Sequence, residues 1–308
     1  MKFDMDALIV GGGPAGLGAA LSLGRMRRKV LVCDDSRPRN APSHHVNNLP
    51  ALDGIHPAEW RKQARADLAK YSTVQFYEGT VIKAEKRQDG FFVQLKDRSL
   101  NVRKLILTDG IADRMPPVPG IKELWGVSIF HCAYCHGYEV AGTALGVLGD
   151  GEMLLHGLPM FNALSRDLVV FTNGPTQLKQ ENLDHLRSIN ILVEQVPLKQ
   201  VVKTEQGVQL HLEDGRVLLR KALFMVPLLP FQTKSSLGEE LGCEKNEWGL
   251  FKVNPKGMTS VAGVYAGGDN MTMAQSVLQA AASGSMAGAG AVHEMAMEDF
   301  MATGRSEG

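Results

Sequence analysis

Ala7-Leu8-Ile9-Val10-Gly11-Gly12-Gly13-Pro14-Ala15-Gly16 is the stretch that decides the kind of fold. Four consecutive apolar residues read as a short strand buried on both faces, as in a parallel sheet. Glycines follow at once in G-x-G-x-x-G spacing. Leu17 to Arg28 then reads as a helix rich in Ala and Leu, and Lys29-Val30-Leu31-Val32-Cys33 as a second strand ending in Asp34-Asp35. Strand, glycine turn, helix, strand and acid, in that order, suit a bound dinucleotide. Gly11 makes the tight turn, Gly13 lets backbone N–H groups approach a pyrophosphate, and Gly16 lets the helix pack close to the strand. Pro14 and Ala15 lie in the glycine turn just ahead of the helix, whose N-terminus faces the anion. Asp34, with Asp35 as the alternative, is placed for ribose hydroxyls. Arg25-Met26-Arg27-Arg28 is a solvated helix end that complements the helix dipole, and Cys33 is packing within a strand.

Outward from this unit, Ser36 to Gly54 is a long polar loop containing Arg37-Pro38-Arg39-Asn40 and His44-His45-Val46-Asn47-Asn48-Leu49-Pro50. Loops of that length inside a compact domain usually serve function. Pro57 to Tyr71 reads as an amphipathic helix; strands are expected at 74–78, 80–86, 91–96 and 105–108, with Asp89-Gly90 as a hairpin turn. Pro116-Pro117-Val118-Pro119-Gly120 reads as an interdomain hinge. Ala144 to Leu148 opens a second αβ unit.

The composition sets bounds. A chain of 308 residues is long enough for two cores. Lys+Arg and Asp+Glu balance at 33 each, so no global field draws in nucleic acid. No apolar run has the length of a membrane span. The N-terminal residues lead directly into a strand rather than into a signal peptide, so a cytoplasmic protein is expected. Four cysteines in so long a chain are not a disulfide framework; a C-x-x-C there points to redox chemistry or metal.

That pair is Cys132-Ala133-Tyr134-Cys135, flanked by His131 and His136. Late in the chain, Thr259 to Asp269 reads as a strand ending in Gly-Asp, followed by a helix from about Ala274 to Ala296, rich in Ala, Gly and Ser as suits close packing on a flat ring. The T-x6-apolar-x-apolar-x-G-D pattern, the early glycine motif and the cysteine pair between them resemble the pyridine-nucleotide disulfide oxidoreductases. The position of the cysteines is similar to that in low-molecular-weight thioredoxin reductases, over essentially the whole chain.

This resemblance implies a two-domain α/β, thioredoxin reductase-like flavoprotein with Rossmann-like dinucleotide-binding domains. Residues 1–114 and 246–308 would form the FAD-binding domain, and 115–245 the inserted redox-cysteine domain. Asp269 would bond the ribityl chain of FAD, with Gln275 and Ser276 at the start of a helix aimed at the isoalloxazine. Asn48 resembles a flavin-contacting asparagine, and Arg39, Asn40 and Val81 complete the expected cofactor contacts. Cys135 would face the flavin and Cys132 would exchange with an external small-molecule or protein dithiol or disulfide. A homodimer is implied, and no metal.

Other readings compete at the cysteines. C-x-x-C-H is also the haem-attachment spelling, but attachment requires export. Zinc would need four ligands within the six residues 131–136, too cramped to close a tetrahedron. Two inert core cysteines are the remaining alternative.

Departures from the reductases shift the expectation. They carry Asp after the second cysteine; here it is His136. The H-C-x-x-C-H-G-Y-E form resembles a branch of dithiol oxidases, the gliotoxin- and holomycin-type enzymes, which pass electrons through FAD to O2. Histidine suits removal of a thiol proton near neutrality. The second glycine turn, Gly149-Asp150-Gly151-Glu152-Met153-Leu154, lacks the third small residue, and Thr172-Asn173-Gly174 lacks the arginines that pair a 2′-phosphate, so strong NAD(P)H binding is not expected. Residues 152–166 are then free to form a substrate pocket. Asp109 stands where the family has Thr, and Cys243 is read as structural. The expected function is an FAD-dependent thiol–disulfide oxidoreductase with Cys132, Cys135 and His136 as catalytic residues, running as a dithiol oxidase. An NAD(P)H-dependent reductase of thioredoxin or a small disulfide is the alternative, and a flavin-binding redox sensor the alternative of another class.

Overall fold

The computed structural model describes residues 2–303, which divide into two compact units. One holds the chain up to Ala41, Ile55–Ala112, and from Leu229 onward; the other holds Pro42–Gly54 and Asp113–Leu228.

The first unit is built on a sheet in the strand order Val74–Glu78, Val30–Asp34, Met5–Val10, Ser99–Leu107, Phe91–Gln94, Lys83–Lys86, with Val264–Ala266 added beside Ser99–Leu107. The central pairings are parallel, Ala7 lying opposite both Val30 and Lys104. Successive residues alternate faces. Leu8, Val10, Leu31, Cys33, Leu105 and Leu107 enter one core, while Ala7, Ile9, Val30, Val32 and Ile106 enter the other. The second core is closed by Leu17, Ala20 and Leu23 of the helix Pro14–Arg25 and by Ala287, Ala291 and Met295 of the helix Val277–Thr303. These two helices pack closely through small residues. A Cβ on Gly288 would lie 2.7 Å from the Ala19 carbonyl oxygen, and one on Gly284 would overlap that of Ala15. The Gly and Ala content expected to serve a ring is thus accounted for by helix–helix contact.

The second unit holds a parallel sheet in the order Leu192–Glu194, Leu168–Phe171, Leu145–Leu148, Ala222–Met225, Ile129–Phe130. The helix Gly151–Leu164 covers one face through Leu154, Leu158 and Phe161, and an antiparallel sheet of Leu198–Thr204, Gly207–Leu212 and Val217–Arg220 packs on the other, Val208, Leu210 and Leu212 sharing a core with Val169, Phe171 and Leu223.

Several expectations are corrected. The first strand of the 80–86 segment begins only at Lys83, whereas the strand expected at 105–108 extends back to Ser99 because its polar half pairs with Phe91–Gln94. The first helix ends at Arg25, since Arg27 turns left-handed at φ 57°. The strand expected over 259–269 is only Val264–Ala266, and the last helix begins at Val277 because the Ser276 hydroxyl caps the Gln279 N–H at 3.1 Å. Pro116–Gly120 is no hinge: the Val201 N–H donates to the Pro119 carbonyl at 2.8 Å, inside the second unit. The chain returns to the first unit at Leu229 rather than 246, because Gln232–Thr233 pairs with Ile111–Ala112 and Leu237 and Cys243 join the first unit's core. Residues 42–54, expected with the first unit, belong to the second. Among the described residues, no helix is long and apolar enough to cross a membrane.

Candidate active site

In the first unit the glycine turn is tight where it must be and open where a ligand would enter. Gly11 sits at φ 97°, and a Cβ there would lie 2.6 Å from the Thr108 carbonyl oxygen. One on Gly16 would overlap the Gly11 carbonyl, whereas around Gly13 there is nothing within 4 Å. Gly13 is also the N-cap of the helix that Pro14 and Ala15 begin, and no side chain caps it. The turn therefore leaves backbone donors uncommitted at a helix N-terminus, where a pyrophosphate is best accommodated. Asp34 closes the second strand, lies against Gly12 and is ion-paired with Arg61. The Gly79 N–H bonds the Asp34 carbonyl at 2.9 Å, which brings Val81, buried in the core, close in the chain to this end of the sheet.

Arg39 meets two residues from far along the chain near the last helix. Arg39 Nη1 donates to Asp269 Oδ2 at 2.9 Å and to Gln275 Oε1 at 2.8 Å. Gln275 Nε2 is buried without a protein partner. A buried unpaired donor is costly unless a ligand satisfies it, so the cluster fits a polar group between the glycine turn and the last helix. Asn40 lies in the neighbouring turn, where the Ala41 N–H bonds the Pro38 carbonyl at 3.1 Å. Asp109, where the family has Thr, is a structural tie instead: it accepts from the Ser235 N–H and hydroxyl at 3.0 and 2.8 Å and from Asn270 Nδ2 at 3.1 Å. Burial still raises its pKa.

The cysteine pair lies in the second unit. Strand Ile129–Phe130 ends, and Cys132 becomes the N-cap of the one-turn helix Ala133–His136. Cys132 and Cys135 are disulfide-bonded, and the Cys135 N–H points at Cys132 Sγ, 3.1 Å away. His136 stacks on Phe130 with ring centroids 4.1 Å apart and planes 9° off parallel, and its Nε2 lies 3.1 Å from Ser43 Oγ. Burial lowers the His136 pKa, opposed by the Glu139 carboxylate and assisted by His45. Asn47 Nδ2 donates to the Cys135 carbonyl at 2.8 Å and to Glu139 Oε1 at 3.0 Å. Tyr134 and Tyr138 stand exposed on this segment. The other two cysteines are different: burial pushes the Cys33 thiol up to about 12 and raises that of Cys243, so both stay protonated and inert.

The loop Pro42–Gly54 therefore holds the cysteine helix through Ser43 and Asn47, neither of which was singled out in the sequence. Asn48, which was, is exposed at φ 60°. Nothing but the length of a polar loop pointed there. Among the described residues, no three His, Cys, Asp or Glu side chains gather to hold a metal.

The second glycine turn is closed by its own side chain. Asp150 caps the helix Gly151–Leu164, accepting from the Gly151 N–H at 2.8 Å, the Gln177 N–H at 2.7 Å and the Thr176 hydroxyl at 2.7 Å. Leu154, at the third small-residue position, is fully buried in the core. Past the next strand, Asn173 Oδ1 takes the Leu198 N–H at 2.7 Å and presents no cation.

The family described as pyridine nucleotide-disulphide oxidoreductase matches residues 5–288. Thioredoxin reductase tcpT of Claviceps purpurea is 37% identical over 297 residues, covering 92% of each chain. Thioredoxin reductase sirT of Leptosphaeria maculans is 32% identical over 309 residues, again 92% of each. The crystal structure of HlmI superposes with a TM-score of 0.90 at 31% identity, covering 98% of this chain and 96% of that one. With a dinucleotide turn in one unit and a C-x-x-C disulfide in the other, the chain belongs to the pyridine nucleotide-disulphide oxidoreductase family, as a thioredoxin reductase-like, FAD-binding enzyme of disulfide or dithiol chemistry.

Proposed function

We propose that the enzyme oxidises dithiols to disulfides at Cys132–Cys135 and draws no electrons from NAD(P)H. The observation that carries this is the second glycine turn, where the Asp150 carboxylate has already taken the helix-terminal N–H of Gly151 and the Gln177 N–H. FAD would be held by Gly11, Gly13, Pro14, Ala15 and Gly16 at its pyrophosphate and by Asp34 at a ribose. Arg39, Asn40, Asp269, Gln275 and Ser276 would hold the remainder, with Val81 and Asn48 as further contacts. When bound, FAD would supply a two-electron acceptor for the cysteine dithiol, with O2 or another acceptor as the final oxidant.

The chain's own residues perform the thiol exchange. A substrate thiolate attacks Cys132 Sγ; the bond to Cys135 breaks and its electron pair leaves on the Cys135 sulfur. The second substrate sulfur attacks the first, releasing the substrate disulfide and the Cys132 thiolate, so substrate is oxidised by two electrons and the cysteine pair reduced by two. His136 takes the proton of the incoming thiol, and the second proton goes to solvent. The Cys135 N–H, 3.1 Å from Cys132 Sγ, stabilises the sulfur that must leave in the second step. Asn47 holds the helix by the Cys135 carbonyl. Because burial lowers the His136 pKa, its neutral form persists below the usual imidazole range, and turnover should fall as pH drops through that lowered value. A homodimer belongs to the same proposal, supported by exposed Met286, Met297 and Met301 on the last helix and tested by solution mass.

An anaerobic titration tests the direction of electron flow. A dithiol should bleach the flavin at once and NADPH slowly or not at all, and Cys135→Ser should keep the flavin yet lose dithiol turnover. The relatives' name, thioredoxin reductase, favours a second reading in which NADPH is the donor; rapid bleaching by NADPH would establish it.

A further inference from the structure

The His136 ring is hydrogen-bonded at one nitrogen, and the partner decides which. Nε2 meets Ser43 Oγ at 3.1 Å, a contact that in principle allows either atom to donate. Ser43 Oγ also lies 2.8 Å from the His45 carbonyl oxygen, which can only accept. A serine hydroxyl has a single proton. Given to that carbonyl, it leaves Ser43 Oγ as an acceptor towards the ring, so the proton between Ser43 and His136 belongs to Nε2. Turning the hydroxyl round would strip the His45 carbonyl of its side-chain donor and make the buried Ser43, 6% exposed, choose between two partners. Neutral imidazole protonated at Nε2 carries its lone pair on Nδ1. No described residue engages Nδ1, and stacking on Phe130 fixes the ring plane.

We infer that Ser43 is a positioning residue for His136: by committing its own proton to the His45 carbonyl, it holds the imidazole as the Nε2–H tautomer and makes Nδ1 the atom that takes the substrate thiol's proton. This rests on the proposed role of His136 as the base. The arrangement serves both protonation states, because the imidazolium keeps Nε2–H on Ser43 while Nδ1 gains its proton. Nothing has to reorganise at the moment of transfer. The ionisable groups around the ring are Glu139, whose charge favours the imidazolium, His45, which opposes it, and the cysteine pair itself.

The test uses oxidised holoenzyme labelled with 15N-histidine, read by long-range 1H–15N correlation above the titration range, with the His136 signals identified by their loss in His136→Gln. Wild type should show Nε2 protonated and Nδ1 bare. Ser43→Ala should mix the tautomers, lower kcat/KM for a dithiol about tenfold with the flavin retained, and move the acidic limb of the pH profile; Ser43→Thr should restore all three. A protonated Nδ1 in wild type, or a Ser43→Ala protein with unchanged signals and unchanged acidic limb, overturns the inference. His136→Gln with an unchanged acidic limb would instead remove the base on which it depends.

Discussion

The turns at Gly11–Gly16 and Gly149–Leu154 start alike and end as opposites. Each follows a buried parallel strand and opens a helix. In the first, the helix cap is a glycine, the space at Gly13 is empty, and Gly16 cannot carry a side chain without meeting the Gly11 carbonyl. In the second, the cap is Asp150, whose carboxylate binds three donors of its own unit, and the position matching Gly16 is a buried leucine. A glycine turn binds an anion only while its donors are uncommitted. The same local geometry thus makes a cradle in one place and a self-satisfied joint in the other, with the anion supplied by the chain.

The largest effect on the cofactor should come from Gly16→Val. The turn cannot keep its shape with a Cβ there, and FAD binding should weaken about 100-fold, or about 2.7 kcal/mol. Reconstitution of apoprotein followed by flavin absorbance measures it; full flavin retention would break the comparison at its first member. Leu154→Ala, at the matching position, should behave as a core truncation. Urea unfolding should show a loss of about 2–4 kcal/mol with flavin stoichiometry unchanged. Loss of flavin instead would mean the second turn serves a ligand after all. Asp150→Ala should have the smallest effect, about 1–2 kcal/mol from the missing cap, and bleaching by NADPH should stay slow because Leu154 still fills the position where a small residue is needed. If bleaching became fast, Asp150 alone would be what excludes the nucleotide.

Much of the candidate site is visible in the chain itself because its chemistry is local. G-x-G-x-x-G spacing reports a steric requirement between near neighbours, and C-x-x-C places two sulfurs at the start of one helical turn. Other parts are not visible. Arg39 meets Asp269 and Gln275 across 230 and 236 residues, Asp109 meets Ser235 across 126, and Ser43 reaches His136 across 93. Each is a polar residue on a loop, and no periodicity marks which loop residue will find which partner. Asn48 and Asn47 show the limit well: they are adjacent and chemically identical, and only the backbone, left-handed at Asn48, decides which amide reaches the cysteine helix. The domain boundaries moved for a similar reason, since Phe231 and Leu250 join Ile111 in a cluster that local patterning does not foretell.

The amino-acid sequence by itself determined the αβ units, the dinucleotide turn, the redox pair and the kinship they imply, because strand periodicity, glycine sterics and cysteine spacing act over a few residues. Tertiary structure alone decided which glycine turn stays open, which loop holds the cysteine helix and which nitrogen of His136 meets Ser43. Those depend on hydrogen bonds between residues distant in the chain, and such bonds form only where folding brings a donor and an acceptor within about 3 Å.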